Sequence, residues 1–389
     1  MATLGPFSID TYLPAFSSIE ISLHASALQL QQTLSVYLLT FAFMMLFHGS
    51  LSDAHGRRPV ILVSLTGFML TSLATAWVDN IQMFIIFRGL QGLFAGAGMI
   101  VGRAMIRDLY DSAEAQRLMS RVTMMFGISP AIAPIIGGWL HNAFGWHSIF
   151  VFLAGLGALL LIVCWHLLPE THPSHLRNQF SLRPLLRNYH EVTAHPHFLL
   201  LAVTVACNFA GFFLYIASAP VFVLHTLHLH ADQFARLFIP AISGVILGAF
   251  LSGKLAGKRS PQRIVAYAWW LLFSATVINL AYNLMATPSW PWAVLPLTVY
   301  STGMSLSMPS ITLLALDLFP QHRGLVSSMQ GFVQTFLNAI VAGAISPWLS
   351  ASPLNLALGM AFFMLSGRFM WLRYTQLHRM DTYQINLSS

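Results

Sequence analysis

Residues 49–59 have the sequence GSLSDAHGRRP and form a short charged turn between two apolar segments, approximately 28–51 and 60–78. Glycine permits a sharp reversal of the chain, and an acid followed by two arginines favours ionic contacts with neighbouring helix ends. A helix of about 20 mostly apolar residues crosses roughly 30 Å of hydrocarbon while satisfying its own backbone amides. The stretch therefore predicts two membrane-spanning helices joined by a charged turn.

The composition extends this reading to the whole chain of 389 residues. Only 8% of the residues are charged, where a soluble domain carries about a quarter, and 56% are hydrophobic. These values exclude an ordinary soluble enzyme and a disordered chain. The net charge of +7 does not indicate a nucleic-acid binder, because long charge-free runs separate the small basic groups. We expect an all-α membrane protein.

Twelve apolar stretches, here called spans 1 to 12, are long enough to cross a bilayer. They are approximately 2–23, 28–51, 60–78, 81–102, 118–140, 147–168, 198–224, 234–254, 263–285, 292–316, 324–348 and 354–373. A charged, proline- and histidine-containing segment interrupts the pattern after span 6. The predicted domains are a six-helix bundle at 1–168, a cytoplasmic linker at 169–197, a second six-helix bundle at 198–374 and a cytoplasmic tail at 375–389.

The basic residues predict the orientation, because Lys and Arg in short loops stay on the cytoplasmic side. Seventeen of the 19 lie after spans 2, 4, 6, 8, 10 and 12, with two, four, three, four, one and three at these places. Both termini are therefore expected in the cytoplasm. Residues 1–23 lack the basic start and cleavage site of a signal peptide and contain Asp10 in mid-run, so we interpret them as span 1.

Asp10 and Arg88 lie inside predicted spans, where an ionisable group costs several kcal/mol unless it is paired or wetted. If span 1 ends near residue 23, Asp10 lies roughly 20 Å and Arg88 about 10 Å below the outer surface. Both can then face one central cavity. A carboxyl group beside a guanidinium can act as a proton switch. The alternative is a structural ion pair that ties span 1 to span 4.

Span 5 contains Pro130 and Pro134 on one face, followed by Gly137 and Gly138. Proline removes backbone hydrogen bonds and bends a helix, whereas glycine lets a neighbouring helix approach closely. Span 8 has a matching small-residue face, Gly244-x-x-x-Gly248. These patterns predict either a moving seam between the two bundles or plain tight packing.

The turn at 49–59 resembles the signature of the major facilitator superfamily, and twelve helices divided six and six resemble its architecture. RGLQG at 88–92 and APIIGG at 133–138 are similar to its span 4 motif and to its antiporter motif. IDTYLPA at 9–15 resembles span 1 of the bicyclomycin-resistance (Bcr/CflA-type) drug exporters. RDLY at 107–110 and PET at 169–171 are further segments of the N-terminal half that fit this resemblance.

This resemblance implies proton-driven drug export across the bacterial inner membrane by alternating access. Asp10 would be the site where protons and cationic substrates compete, and Arg88 would modulate it. A cytoplasmic gating motif would comprise Gly49, Asp53, Gly56, Arg57, Arg58 and Asp108, with Asp53 facing the N-terminus of span 11. Ala54 stands where the family commonly has arginine, and the corresponding loop of the second half, GKLAGKR at 253–259, lacks the acid.

Polar and aromatic residues on the spans are candidates for lining a central substrate cavity, although each can also be a packing residue. Besides Asp10 they are Tyr12, Tyr37, Gln91, Asn208, Phe212, Tyr215, Tyr300, Gln330 and Gln334. No cofactor is expected, because Cys164 and Cys207 lie in separate apolar runs and HTLHLH at 225–230 has no acid or cysteine to complete a metal site. The driving force would be the proton gradient.

The sequence leaves the cargo open. One hypothesis is a monomeric, proton-coupled exporter of small lipophilic or cationic drugs, in contact with the lipid bilayer and with no nucleic-acid partner. A second keeps the fold but exports an endogenous metabolite such as a siderophore, an amino-acid derivative or a polyamine. A third, a membrane enzyme or receptor, is disfavoured because the sequence contains neither HExxH nor GxSxG.

Overall fold

The computed structural model describes residues 1, 3–110, 112–177 and 180–388, and within these residues the regular elements are all helices. The α-helices are α1 (Leu4–Asp10), α2 (Phe16–Ser22), α3 (Ala27–Met45), α4 (His48–His55), α5 (Arg57–Ala76), α6 (Ile81–Ala95), α7 (Ala97–Leu109), α8 (Ser112–Phe144), α9 (His147–Leu167), α10 (Leu182–Ala194), α11 (Pro196–Ala217), α12 (Ala219–Val221), α13 (Ala235–Leu255), α14 (Pro261–Met285), α15 (Leu295–Asp317), α16 (Arg323–Ile340), α17 (Ser346–Leu349) and α18 (Pro353–Ser388).

Ten helical stretches in the described residues are long and apolar enough to cross a membrane. An eleventh is the pair α3 and α4, which is bent by 48° at a short break and corresponds to predicted span 2. Predicted span 1 is not one continuous helix, since α1 and α2 are separated by a 3₁₀ turn at Leu13–Ala15. Pro14 lies in this turn, where its missing N–H and its ring disfavour an uninterrupted α-helix.

The chain divides into two compact units. The first unit comprises Met1–Ser181, Ala217–Ile239 and Ala339–Trp348, and the second comprises Leu182–Ile216, Pro240–Asn338 and Leu349–Ser389. The first unit thus contains two segments that the sequence assigns to the second bundle, and each segment includes a π-helical turn, at Phe222–Thr226 and at Val341–Ile345.

Helix α3 packs closely against α6 within the first unit. A Cβ atom added at Gly92 would overlap the Thr40 hydroxyl and the Tyr37 carbonyl, so only glycine permits this approach. The Thr40 hydroxyl also donates a hydrogen bond of 2.8 Å to the Gly89 carbonyl oxygen. The two glycines of RGLQG therefore bring Arg88 close to Tyr37.

In the second unit, the small residues of predicted span 8 serve close packing of α13 against α15. A Cβ atom added at Gly244 or Gly248 would overlap a backbone carbonyl of α15. The hydroxyl groups of Ser301 and Ser305 each donate a hydrogen bond of 2.8 Å to a carbonyl oxygen of α13. Within this unit, Gly244-x-x-x-Gly248 is a packing face.

Candidate functional site

Arg88 lies fully buried in α6 between two tyrosine rings of the first unit. Its guanidinium carbon is 4.4 Å from the centroid of the Tyr12 ring and 4.3 Å from that of Tyr37. A guanidinium at this distance from an aromatic face is stabilised by the ring quadrupole, and desolvation strengthens the interaction to about 2 kcal/mol or more. Arg88 thus joins the 3₁₀ turn of span 1 to α3.

Hydrogen bonds extend this cluster across α1, α5 and α6. Arg88 Nη1 donates to the hydroxyl oxygen of Ser8 at 3.1 Å and to Gln91 Oε1. Gln91 Nε2 in turn donates to the Ser72 hydroxyl at 2.6 Å. Within the part of the chain that the structure describes, Arg88 Nε and Nη2 have no hydrogen-bond partner. We call Arg88, Tyr12, Tyr37, Gln91 and Ser8 the arginine cluster.

Asp10 is the last residue of α1 and is only 3% exposed. Its Oδ1 atom has no hydrogen-bond partner, and no ion pair between Asp10 and Arg88 is present in the described part of the chain. Asp10 lies two residues after Ser8 in α1, and the backbone of the next residue, Thr11, packs against Gly137 of α8. The buried carboxyl group is therefore not neutralised by a salt bridge to Arg88.

The glycines after the prolines of α8 hold span 1 in place. A Cβ atom at Gly137 would overlap the Thr11 carbonyl, and one at Gly138 would lie 2.6 Å from the Ala231 carbonyl oxygen. Pro130 and Pro134 lie within α8, which continues through them from Ser112 to Phe144. Gly137 thus brings the α8 backbone against the residue that follows Asp10.

The charged turn at 49–59 forms a second site in the same unit. Gly56 ends α4 with a φ of +100°, the left-handed region that favours glycine. Arg57 Nε donates to Asp108 Oδ2 at 3.1 Å, and its Nη1 donates to Asp53 and to the Ser52 hydroxyl. Two carboxylates of the proposed gating motif therefore share one buried guanidinium. The expected relation of Asp53 to span 11 stays a prediction.

Glu170 completes this turn. Its carboxylate accepts hydrogen bonds from the backbone N–H groups of Arg57 at 3.0 Å and Arg58 at 3.3 Å, and it lies 3.6 Å from Arg177 Nη2. Thr171 Oγ1 donates to Asp108 at 3.0 Å. Sequence reasoning used residues 169–171 as part of the resemblance but did not place Glu170 in the site. Glu170 is 113 residues from Arg57 in the chain, so no local sequence pattern indicates that the two residues are in contact.

Arg58 has a separate role from Arg57, since its Nη2 donates to the Trp165 carbonyl at 2.7 Å. Its guanidinium carbon is also 5.9 Å from the centroid of the Trp165 ring. The side chain of Arg58 thus ties the start of α5 to the end of α9.

Gly49, another residue of the proposed gating motif, lies in α4, where the Ser52 hydroxyl donates a hydrogen bond of 2.8 Å to the Gly49 carbonyl oxygen.

The remaining substrate-binding candidates belong to the second unit. Asn208 is buried, and neither polar atom of its amide has a hydrogen-bond partner among the described residues. Asn279 Nδ2 donates to the Tyr215 hydroxyl at 2.7 Å, and Gln330 Nε2 donates to Thr312 Oγ1 at 2.9 Å. Tyr215 and Gln330 thus form hydrogen bonds with different side chains.

Two further candidates of the second unit differ in burial. Phe212 is buried in α11, with its ring centroid 5.9 Å from that of Phe209, whereas Gln334 in α16 is only partly buried. The buried hydroxyl of Tyr300 packs against Gly211 and has no hydrogen-bond partner in the described ranges of the chain. Asn279, Ser8 and Ser72 were missed by sequence reasoning, because isolated amide and hydroxyl side chains are common in spans.

Comparisons with known proteins agree with this architecture. The family model described as Major Facilitator Superfamily matches residues 1–347. The chain belongs to the major facilitator superfamily. Like other members of that family it is a transporter and not an enzyme, as the resemblance in its sequence implied.

Its curated relatives include proteins named for drug resistance. A bicyclomycin resistance protein homolog from Haemophilus influenzae is 27% identical over 377 residues, covering 95% of this chain and 94% of the relative. Multidrug resistance protein D from Escherichia coli is 27% identical, covering 88% and 85%. The multidrug transporter MdfA from Yersinia pestis is 27% identical, covering 84% and 80%.

Solved structures of the superfamily share the fold. A bacterial homolog of the human lysosomal transporter Spinster, in an inward-facing and unoccupied conformation, matches with a TM-score of 0.71 and 16% identity over 96% of each chain. A D-xylose-proton symporter matches with a TM-score of 0.70 and 17% identity over 95% of each chain. The all-α, multi-pass membrane fold expected from the sequence is thus confirmed.

Proposed function

We propose that this transporter exports small lipophilic or cationic compounds from the cytoplasm in exchange for protons, by alternating access in the bacterial inner membrane. The observation that carries the proposal is Asp10, a buried carboxyl group inside a predicted span that forms no salt bridge within the described residues. The relatives named as a multidrug transporter and as a multidrug resistance protein support the choice of cargo.

The chemistry follows from the cost of burying an unpaired charge. An isolated carboxylate in a low-dielectric interior is strongly unfavourable, and either a bound proton or a bound cation removes that cost. Arg88 does not relieve it by direct pairing, because its charge is held between the rings of Tyr12 and Tyr37. Proton and cationic substrate therefore compete for Asp10.

The same cluster offers a surface for lipophilic cargo. The rings of Tyr12 and Tyr37 present apolar faces that also attract cations, and Gln91 provides a polar group beside them. We include Asp10, Arg88 and these three residues in the proposed binding site. The substrate-binding roles of Asn208, Phe212, Tyr215, Gln330 and Gln334, which belong to the second unit, stay predictions from the sequence. The transporter works as a monomer, needs no cofactor and has both termini in the cytoplasm.

The decisive experiment reconstitutes Asp10→Asn in proteoliposomes with an imposed pH gradient and measures efflux of tetraphenylphosphonium together with proton flux. We expect both fluxes to disappear, because asparagine cannot exchange a proton. Asp79→Asn is the matched control, since Asp79 is exposed outside the spans, and it should retain wild-type exchange. Undiminished proton-coupled efflux by Asp10→Asn would overturn the proposal.

The cargo is tested separately. A deletion strain should become sensitive to several lipophilic drugs if the transporter is a multidrug exporter. If the deletion instead raises one intracellular metabolite and changes no drug sensitivity, the drug-export part of the proposal is wrong.

A further inference from the structure

The helix α10 (Leu182–Ala194) lies outside the membrane spans and has an unusual distribution of side chains. Tyr189 and Val192 are buried, so one face of α10 packs against the protein. Burial raises the pKa of the Tyr189 phenol to about 12, which agrees with a dry environment on that face. The side chains of Leu182 and Leu186, by contrast, are 50% and 57% exposed.

The exposed leucines and two arginines form adjacent stripes on α10. Leu182 and Leu186 are four residues apart, as are the exposed Arg183 and Arg187, so each pair lies on one line along the helix. At 100° per residue the arginine stripe follows the leucine stripe around the helix. An apolar stripe edged by cations is the pattern of a helix that lies in the interface of a bilayer.

The position of α10 in the chain keeps it near the lipid. Only His195 separates its last residue, Ala194, from Pro196, where the spanning helix α11 begins. One residue extends the chain by less than about 4 Å, so the C-terminal end of α10 lies close to the start of a spanning helix. Its 13 residues make a helix of about 20 Å, which is too short to cross the bilayer.

We propose that α10 is a lipid-binding element whose exposed leucines enter the bilayer interface while Arg183 and Arg187 bind the headgroups of anionic phospholipids. Charge complementarity selects this occupant, because a guanidinium group can form bidentate hydrogen bonds with a phosphate group and anionic headgroups lie at the membrane surface, where α11 begins. The proposal requires only that the protein is inserted in a membrane. It is therefore independent of proton exchange and of the cargo.

The test places the full-length protein in nanodiscs of phosphatidylcholine alone and in nanodiscs in which about a third of the lipid is phosphatidylglycerol. Amide hydrogen exchange in residues 182–194 is compared between them, with the amides of α14 as an internal reference. We expect slower exchange of α10 in the anionic nanodiscs, by about fivefold for each arginine that binds lipid. Equal exchange in the two lipids would overturn the proposal.

Variants separate charge from apolar insertion. Arg183→Gln with Arg187→Gln should abolish the difference between the two lipids. Lys258→Gln with Arg259→Gln removes the same charge from an exposed loop and should preserve it. Leu182→Ser with Leu186→Ser should speed exchange of α10 in both lipids.

If the Lys258→Gln/Arg259→Gln double variant also lost the difference in α10 exchange between the two lipid compositions, the effect would be a general one of charge. That result would contradict specific binding of lipid by α10. Protection of α10 that depends on an added cytosolic extract, and not on phosphatidylglycerol, would indicate a protein partner and would also contradict it.

Discussion

The carboxylate of Glu170 caps the helix that starts at Arg57, with Oε1 accepting the Arg57 N–H at 3.0 Å. The first N–H groups of an α-helix have no partner within the helix, and a negative charge there also interacts favourably with the helix dipole. The segment that follows α9 thus stabilises the start of α5.

Glu170→Gln tests this cap. We expect the free energy of unfolding of the first unit to fall by about 1–2 kcal/mol, because glutamine keeps the shape but loses the charge that binds the helix N-terminus. Thermal unfolding in detergent measures the effect. In a double-mutant cycle with Arg177→Gln, the two changes should be less than additive because Arg177 lies 3.6 Å from Glu170. Strict additivity would contradict an energetic link between them.

Gly56→Ala should be more damaging than a typical surface change. The backbone φ of +100° is strained for alanine, and the added Cβ would overlap the Glu170 carboxylate. We expect a loss of about 1–3 kcal/mol in stability. Gly102→Ala, in α7 and with open space around its Cα, is the control and should stabilise the helix by up to about 1 kcal/mol. Equal effects of the two variants would exclude the conformational explanation.

The rings of Tyr12 and Tyr37 should stabilise the buried charge of Arg88 and so increase the free energy of unfolding. Tyr12→Leu removes one aromatic face and should cost about 2 kcal/mol beyond the change in packing volume. Tyr12→Phe keeps the face and loses only the hydroxyl contact with Thr33, which is 3.1 Å long. Its cost should stay near 1 kcal/mol. Chemical unfolding of both variants measures the difference, and an equal loss in the two would argue against a cation–π contribution.

Gly137→Ala is expected to displace span 1 from α8, because the new Cβ would overlap the Thr11 carbonyl next to Asp10. We expect about 1–3 kcal/mol of destabilisation and a clear loss of transport in proteoliposomes. Gly127→Ala is the matched control in the same helix, since nothing lies within 4 Å of its added Cβ. If both variants transport at the wild-type rate, the contact of Gly137 with span 1 does not position Asp10 for transport.

Much of the fold was predictable because membrane insertion depends on local and nearly additive properties of the chain. Long charge-free runs predicted the spans. The glycines and charges of residues 49–59 predicted a turn between spans 2 and 3, and the structure places it at Gly56, where φ is +100°. The break in span 1 was not predicted, although Pro14 was a local signal for it.

The sequence by itself determined that this is a membrane transporter of the major facilitator superfamily, and it made Asp10 and Arg88 conspicuous as charges inside spans. Only the tertiary structure decided their partners. Arg88 lies between Tyr12 and Tyr37, not in an ion pair with Asp10, and Glu170 reaches Arg57 from 113 residues away. The physical reason is that the cost of burying a charge follows from the residue type, whereas its compensation depends on which distant side chains the packing of the helices brings within hydrogen-bond distance.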